Sequence, residues 1–139
     1  MRQVPVTTAW IINAFENSSQ HSEYYIDLQT GDVRFFSPLD FPEHEEIMKK
    51  LDKQSERFVK LPKMEREFCL QVRKDYIATI ENQNLKGQLE NELDTDARYR
   101  RILMDYEDER RQWYKFQNDK YAEHLKQWFL GKGIELVEK

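Results

Sequence analysis

Cysteine is nearly absent. The single thiol, Cys69, can form no internal disulfide, so the chain is expected to work in a reducing compartment. Glycine and proline are also scarce, at 4 each, which argues against a many-turned β-sandwich. The glycines (Gly31, Gly87, Gly131 and Gly133) are scattered or terminal, so no glycine-rich phosphate loop can be assembled from them. No apolar run approaches the roughly 20 residues of a membrane-spanning helix. No charged segment followed by an apolar one opens the chain, so no secretory signal is expected. The histidines are His21, His44 and His124, far apart in sequence. Neither HExxH nor CxxC occurs, and no serine sits in a GxSxG elbow.

What is present is charge and aromatic surface. Charged residues make up 35% of the 139-residue chain and aromatic residues 13%, too many aromatics for a disordered chain. The net charge is −4. Residues up to Pro62 carry 7 basic and 10 acidic side chains, and the remainder carries 15 and 16. Neither part has the basic excess of a phosphate-binding domain. The length suits one domain over residues 1–139, with a helix-and-sheet part over 1–62 and a helical part over 63–139.

Pro5 to Glu16 reads as a helix capped by Thr7 or Thr8, with Trp10, Ile11, Ala14 and Phe15 on one side. The clearest local signal follows. Tyr24–Leu28 and Val33–Phe36 are two β-rich runs around Gln29-Thr30-Gly31-Asp32, with Gly31 supplying the positive φ of a hairpin turn. A hairpin is marginal alone, and Arg57–Leu61, ended by Pro62, is the best third strand. Glu43 to Lys53 reads as a helix with an acidic start and a basic end. Beyond Pro62 the pattern is helical. Met64, Phe68, Val72, Tyr76 and Ile80 recur every four residues, and Leu85, Leu89 and Leu93 mark a second short helix. Asp94-Thr95-Asp96 caps a third, with Tyr99, Ile102, Leu103 and Tyr106 on one face. Asp108 to Leu130 is a long helix burying Trp113, Phe116, Tyr121, Leu125, Trp128 and Phe129, with Gly131 after its end and a short strand at Ile134–Val137. Trp113 and Trp128 are read as structural.

Four groups bear on chemistry. Asp105, Asp108 and Glu109 fall on nearby turns and could hold a cation through oxygen, but they read as a solvated acidic face. Cys69 lies on an apolar stripe and reads as a packing cysteine. Arg98, Arg100, Arg101, Arg110 and Arg111, interleaved with aromatic residues, have the composition that grips phosphates and stacks bases. From Asp94 to His124, however, 7 basic residues face 8 acidic ones, and the spacing suggests Asp96–Arg100 and Glu107–Arg111 ion pairs. Finally, Tyr25 and Phe36 point to the second face of the hairpin. They form an exposed partner patch if helices cover one face of the sheet, and core if helices cover both.

Three segments in this order carry a resemblance: Tyr24–Val33 with its Thr30-Gly31-Asp32 turn, Arg57–Pro62, and Arg98–Arg101 running into Trp113-Tyr114-Lys115-Phe116, Tyr121 and Gln127-Trp128-Phe129. Together they resemble the uncharacterised protein family UPF0158, over roughly residues 10–134. Phe129 stands where leucine is the family's residue, a conservative change. The resemblance implies a bacterial cytoplasmic α+β protein and transfers no catalytic residue. The expected fold is therefore α+β: a small antiparallel three-stranded sheet with an N-terminal helix and a helical C-terminal half packed together. The expected function is non-enzymatic protein interaction, with an unidentified protein partner, no cofactor, no metal and no membrane. The alternative is a nucleic-acid-associated factor using the arginines, which the acidic surroundings disfavour.

Overall fold

The computed structural model describes residues 1–18, 23–36, 49–50, 53 and 56–139. The chain forms two compact units, one of Met1–Met64 with Ala122–Lys139, the other of Glu65–Tyr121. The last stretch of chain, from Ala122 on, belongs to the first unit. The fold is α+β, with an N-terminal helix, a three-stranded antiparallel sheet and a helical C-terminal half.

In the first unit, β1 (Arg2–Val6) pairs in parallel with β5 (Ile134–Glu138). This corrects the expectation that Pro5 and Val6 begin a helix. The Arg2 N–H donates to Gly133 O (3.1 Å) and the Lys139 N–H to Val6 O (3.0 Å), so the even residues of β1 face β5. Pro5, which has no N–H, lies on the other edge, where none is required. Val4 and Val6 are both buried, a period of two that the sequence does display.

Helix α1 (Thr8–Glu16) follows at once, with Thr7 at the N-cap position and no side-chain cap of its own. Its cap comes from the far end of the chain. Glu138 accepts the Thr8 N–H at 3.1 Å and the Thr8 hydroxyl as well, and these bonds hold its carboxyl below the usual range. Ile11, Ile12, Ala14 and Phe15 are buried, and Phe15 stacks on His124 with ring centroids 5.5 Å apart. Trp10, expected on that apolar side, is instead 59% exposed.

The sheet has the order β3 (Val33–Phe36), β2 (Glu23–Asp27), β4 (Phe58–Lys60), all antiparallel. The turn between β2 and β3 is closed by Gly31 N–H to Asp27 O (2.7 Å) and Asp27 N–H to Asp32 O (2.9 Å). Gly31 has φ +80°, as its place in the sequence predicts. Most of the expected helix over 43–53 lies outside the described residues; Lys49, Lys50 and Lys53 are helical.

The second unit is helical: α2 (Arg66–Ile77), α3 (Gln83–Asn91), α4 (Asp96–Met104) and the first part of α5 (Glu107–Leu130), whose end belongs to the first unit. Asn82 caps α3 by accepting the Asn84 and Leu85 N–H groups, which explains why the stripe breaks there. Tyr76, Tyr99 and Trp113 form an aromatic cluster, with centroids 5.3 Å apart for Tyr76–Trp113 and 5.2 Å for Tyr99–Trp113. Trp113 is buried as expected, whereas Trp128 is only half-buried. After α5 the residue with positive φ is Gly133 (+77°), not Gly131.

A Cβ at Gly31 would overlap the Pro5 carbonyl oxygen, in addition to the strain of its φ. Gly87, inside α3, has no atom within 4 Å of a Cβ. Thermal or urea melts should therefore move in opposite directions. Gly31→Val should lose at least about 2 kcal/mol. Gly87→Ala should gain about 0.5–1 kcal/mol.

Candidate functional site

The arginine-rich segment lies on α4 and the start of α5, and tertiary contacts sort its charges. Tyr99 and Leu103, one turn apart, are buried and fix which side of α4 faces inward. Asp96, expected to pair with Arg100, does not. Its carboxylate takes a bond from Arg66 Nη1 at 2.8 Å and one from Arg73 Nη2 at 2.6 Å. This is a correction to the spacing argument. An i,i+4 neighbour on a solvated helix offers a fraction of a kcal/mol, and two guanidinium groups held by another helix offer more.

Arg73 is 5% exposed. Besides Asp96 it donates to Leu93 O (2.6 Å), and its guanidinium carbon lies 4.8 Å from the centroid of the Tyr99 ring. Arg66 also reaches Asp94, at 2.9 Å, so both carboxylates of the Asp94-Thr95-Asp96 run are held by α2. Thr95 is the N-cap residue but forms no side-chain cap bond. Two guanidinium groups on one carboxylate hold Asp96 well below the usual range, and the same contacts raise Arg66. Neither Arg66 nor Arg73 was singled out from the sequence. The signal available was their seven-residue spacing on α2, which puts both on one face, about two turns apart.

The exposed side of α4 is different. Arg100 and Arg101 are exposed, and among the described residues no carboxylate lies within ion-pair distance of either. Met104, one turn on from both, is 65% exposed. Arg98 lies at the margin, 3.8 Å from Glu92. On α5, Arg111 pairs with Glu107 at 2.7 Å, as its spacing predicts. Arg110 is half-buried, with no carboxylate partner among the described residues. Arg98 and Arg111 are therefore charge-paired, Arg100, Arg101 and Arg110 have no carboxylate partner among the described residues, and of these three Arg100 and Arg101 are exposed.

The carboxylates weighed as a cation site do not converge. Asp105 and Asp108 are exposed, while Glu109 accepts the Tyr76 hydroxyl at 2.8 Å. Burial and this carboxylate push the Tyr76 phenol upward. Among the described residues, no three His, Cys, Asp or Glu side chains are grouped to hold a metal ion. Cys69 is half-buried.

In the first unit, Tyr25 is 1% exposed, so its ring is core and presents no surface. Its neighbours Ile26 and Asp27 are buried too, so β2 is covered on both faces, which is the alternative in which Tyr25 packs. Phe36 is placed on β3 opposite Glu23 by the strand register, and its side chain lies outside the described residues. Among the described residues, no helix is long and apolar enough to cross a membrane.

Acid should loosen the second unit. Asp96 has a folded-state pKa below its unfolded value, so its contribution is complete above the unfolded value near 4 and is lost as pH falls through the folded one. Urea midpoints should drop between pH 6 and pH 3, and the drop should be smaller in Asp96→Asn, which has no proton to take up.

The family model described as Uncharacterised protein family (UPF0158) matches residues 1–139. No curated protein and no solved structure matches the chain. The chain belongs to the UPF0158 family.

Proposed function

We propose that this member of the UPF0158 family is a non-enzymatic protein-interaction module of the bacterial cytoplasm, docking its partner on the exposed side of α4. The observation that carries the reading is the pairing of uncompensated charge with exposed apolar surface. Arg100, Arg101 and Met104 share one side of a helix whose other side is anchored by Tyr99 and Leu103. A guanidinium group left without a carboxylate is available to a carboxylate from outside, and an exposed methionine is an adaptable apolar contact. The partner that fits carries acidic side chains around a small apolar spot. The neighbouring Asp94, Asp96 and Glu107 are already neutralised by Arg66, Arg73 and Arg111, so they do not repel it. The lone cysteine supports a reducing compartment.

Nucleic acid is the second reading, because Arg100 and Arg101 could equally reach phosphates. Two adjacent free arginines are a short basic strip in a chain of net charge −4, and they supply few phosphate contacts.

Affinity purification from the native cell, with and without nuclease, separates the two. The expected result is a protein captured equally in both conditions and lost when Arg100→Glu and Arg101→Glu are combined. Circular dichroism should show that this variant remains folded. Loss of the captured material on nuclease treatment would replace the reading with the nucleic-acid one. Capture unaffected by the substitutions would remove α4 as the docking face.

Fluorescence anisotropy against single-stranded RNA, duplex RNA and duplex DNA gives an independent check. Affinity should be no tighter than about micromolar at physiological salt, the range of ordinary non-specific binding. Nanomolar binding that collapses as salt rises would overturn the ranking.

A further inference from the structure

One strand of the first unit is left with an unused edge. In the β2–β4 pair, Leu61 N–H donates to Tyr24 O (2.8 Å) and Leu28 N–H to Arg57 O (2.7 Å), with Ile26 opposite Val59 between them. Antiparallel hydrogen bonding alternates, so Arg57, Val59 and Leu61 face β2. Phe58 and Lys60 therefore turn their N–H and C=O groups away from it. Strand β4 is the last in the sheet, and among the described residues nothing pairs with that outer edge.

The strand also borders a cleft. All three residues of β4 line a cleft of about 770 Å³, whose wall also includes Arg2, Lys132 and Glu56. Among the described residues, no carboxylate lies within ion-pair distance of Arg2 or Lys132. Arg2 donates to two neutral carbonyls, Glu56 O at 3.2 Å and Leu28 O at 3.4 Å, and keeps its charge. Lys132 lies 4.8 Å from the centroid of the Trp128 ring, a contact that stabilises an ammonium without neutralising it. Lys60 shares the Glu23 carboxylate with Lys63, at 3.4 and 3.0 Å. Against these, Glu56 is the one carboxylate residue among the described residues of the wall.

We infer that the β4 edge accepts an extended acidic peptide from a partner protein as an added strand. Outward N–H and C=O groups two residues apart are the repeat that another strand satisfies, and edge addition is a general mode of peptide recognition. A small free anion would meet the donors and leave the carbonyls of Phe58 and Lys60 unpaired. The cationic cleft selects acidic side chains on the incoming strand. Because β4 offers only two outward residues, binding is expected in the micromolar range. The inference is independent of the α4 docking face, which lies in the other unit.

The test uses the full chain and two labelled hexapeptide probes, one alternating glutamate with valine and the other alternating lysine with valine. Anisotropy should show saturable binding of the acidic probe and none of the basic one. Lys60→Pro removes an outward N–H while leaving the Val59 bonds to β2 available. It should weaken the acidic probe about tenfold more than Lys60→Ala does. Lys132→Glu should weaken it too. Amide exchange should slow at Phe58 and Lys60 when the probe is bound, a readout that decides the matter should Lys60→Pro fail to fold. Equal binding of both probes, no binding up to about 1 mM, or protection on α4 instead of β4 would overturn the inference. Indifference to Lys60→Pro in a folded variant would do the same.

Discussion

The first unit depends on a carboxylate that water cannot reach. Asp27 is 0% exposed at the end of β2, where a lone charge would be untenable. Arg57 resolves this from thirty residues further on, with Nε at 3.2 Å from one carboxylate oxygen and Nη2 at 3.0 Å from the other. The Gln29 N–H adds a third bond at 3.0 Å, and together they hold the carboxyl below the usual range. The planar, two-pronged guanidinium matches both carboxylate oxygens, and Arg57 stands immediately before β4. The pair thus ties the start of β4 to the end of β2. It also leaves Asp27 backbone atoms to close the turn that brings β3 to the other side. Arg57 further covers the Phe58 ring, 5.0 Å from its centroid, so one side chain joins charge and apolar packing.

The second unit solves the same problem at Asp96. Two guanidinium groups from α2 converge on the first turn of α4, where a carboxylate also complements the helix dipole. Arg73 packs on Tyr99 and so links the ion pairs to the aromatic cluster around Trp113. Arg66 and Arg73 meet carboxylates inside the second unit, whereas Arg100 and Arg101 on the outer side of α4 have none within ion-pair distance among the described residues. The assignment of each arginine is a matter of reach across the bundle, not of local composition.

Much of the secondary structure was legible. The four-residue stripe from Met64 to Ile80 contains α2, and the Thr30-Gly31-Asp32 turn between β-rich runs marks the hairpin. Arg57–Leu61 yields the third strand. These patterns arise from local geometry: a period of four or two, and a glycine where φ must be positive. At the start of the chain, Thr7 and the apolar residues after it are a helix signal that overrides the strand. The alternation of Val4 and Val6 was too short to compete with it. Strand β1 exists because β5 pairs with it, more than 125 residues away, and a local window does not contain that partner.

By itself the sequence determined the fold class, the hairpin with its glycine, the helical second half and the family. Each of these rests on residue spacing or on ordered motifs along the chain. The tertiary structure alone decided which charges are spent. Asp96 faced Arg100 on paper and binds Arg66 and Arg73 in space, because helix packing brings two rigid donors to it. Burial of both faces of β2 likewise took Tyr25 out of any surface. The helix cap at Thr8 came from Glu138, at the opposite end of the chain. In each case the deciding quantity is a distance between residues remote in sequence, and only the folded chain sets it.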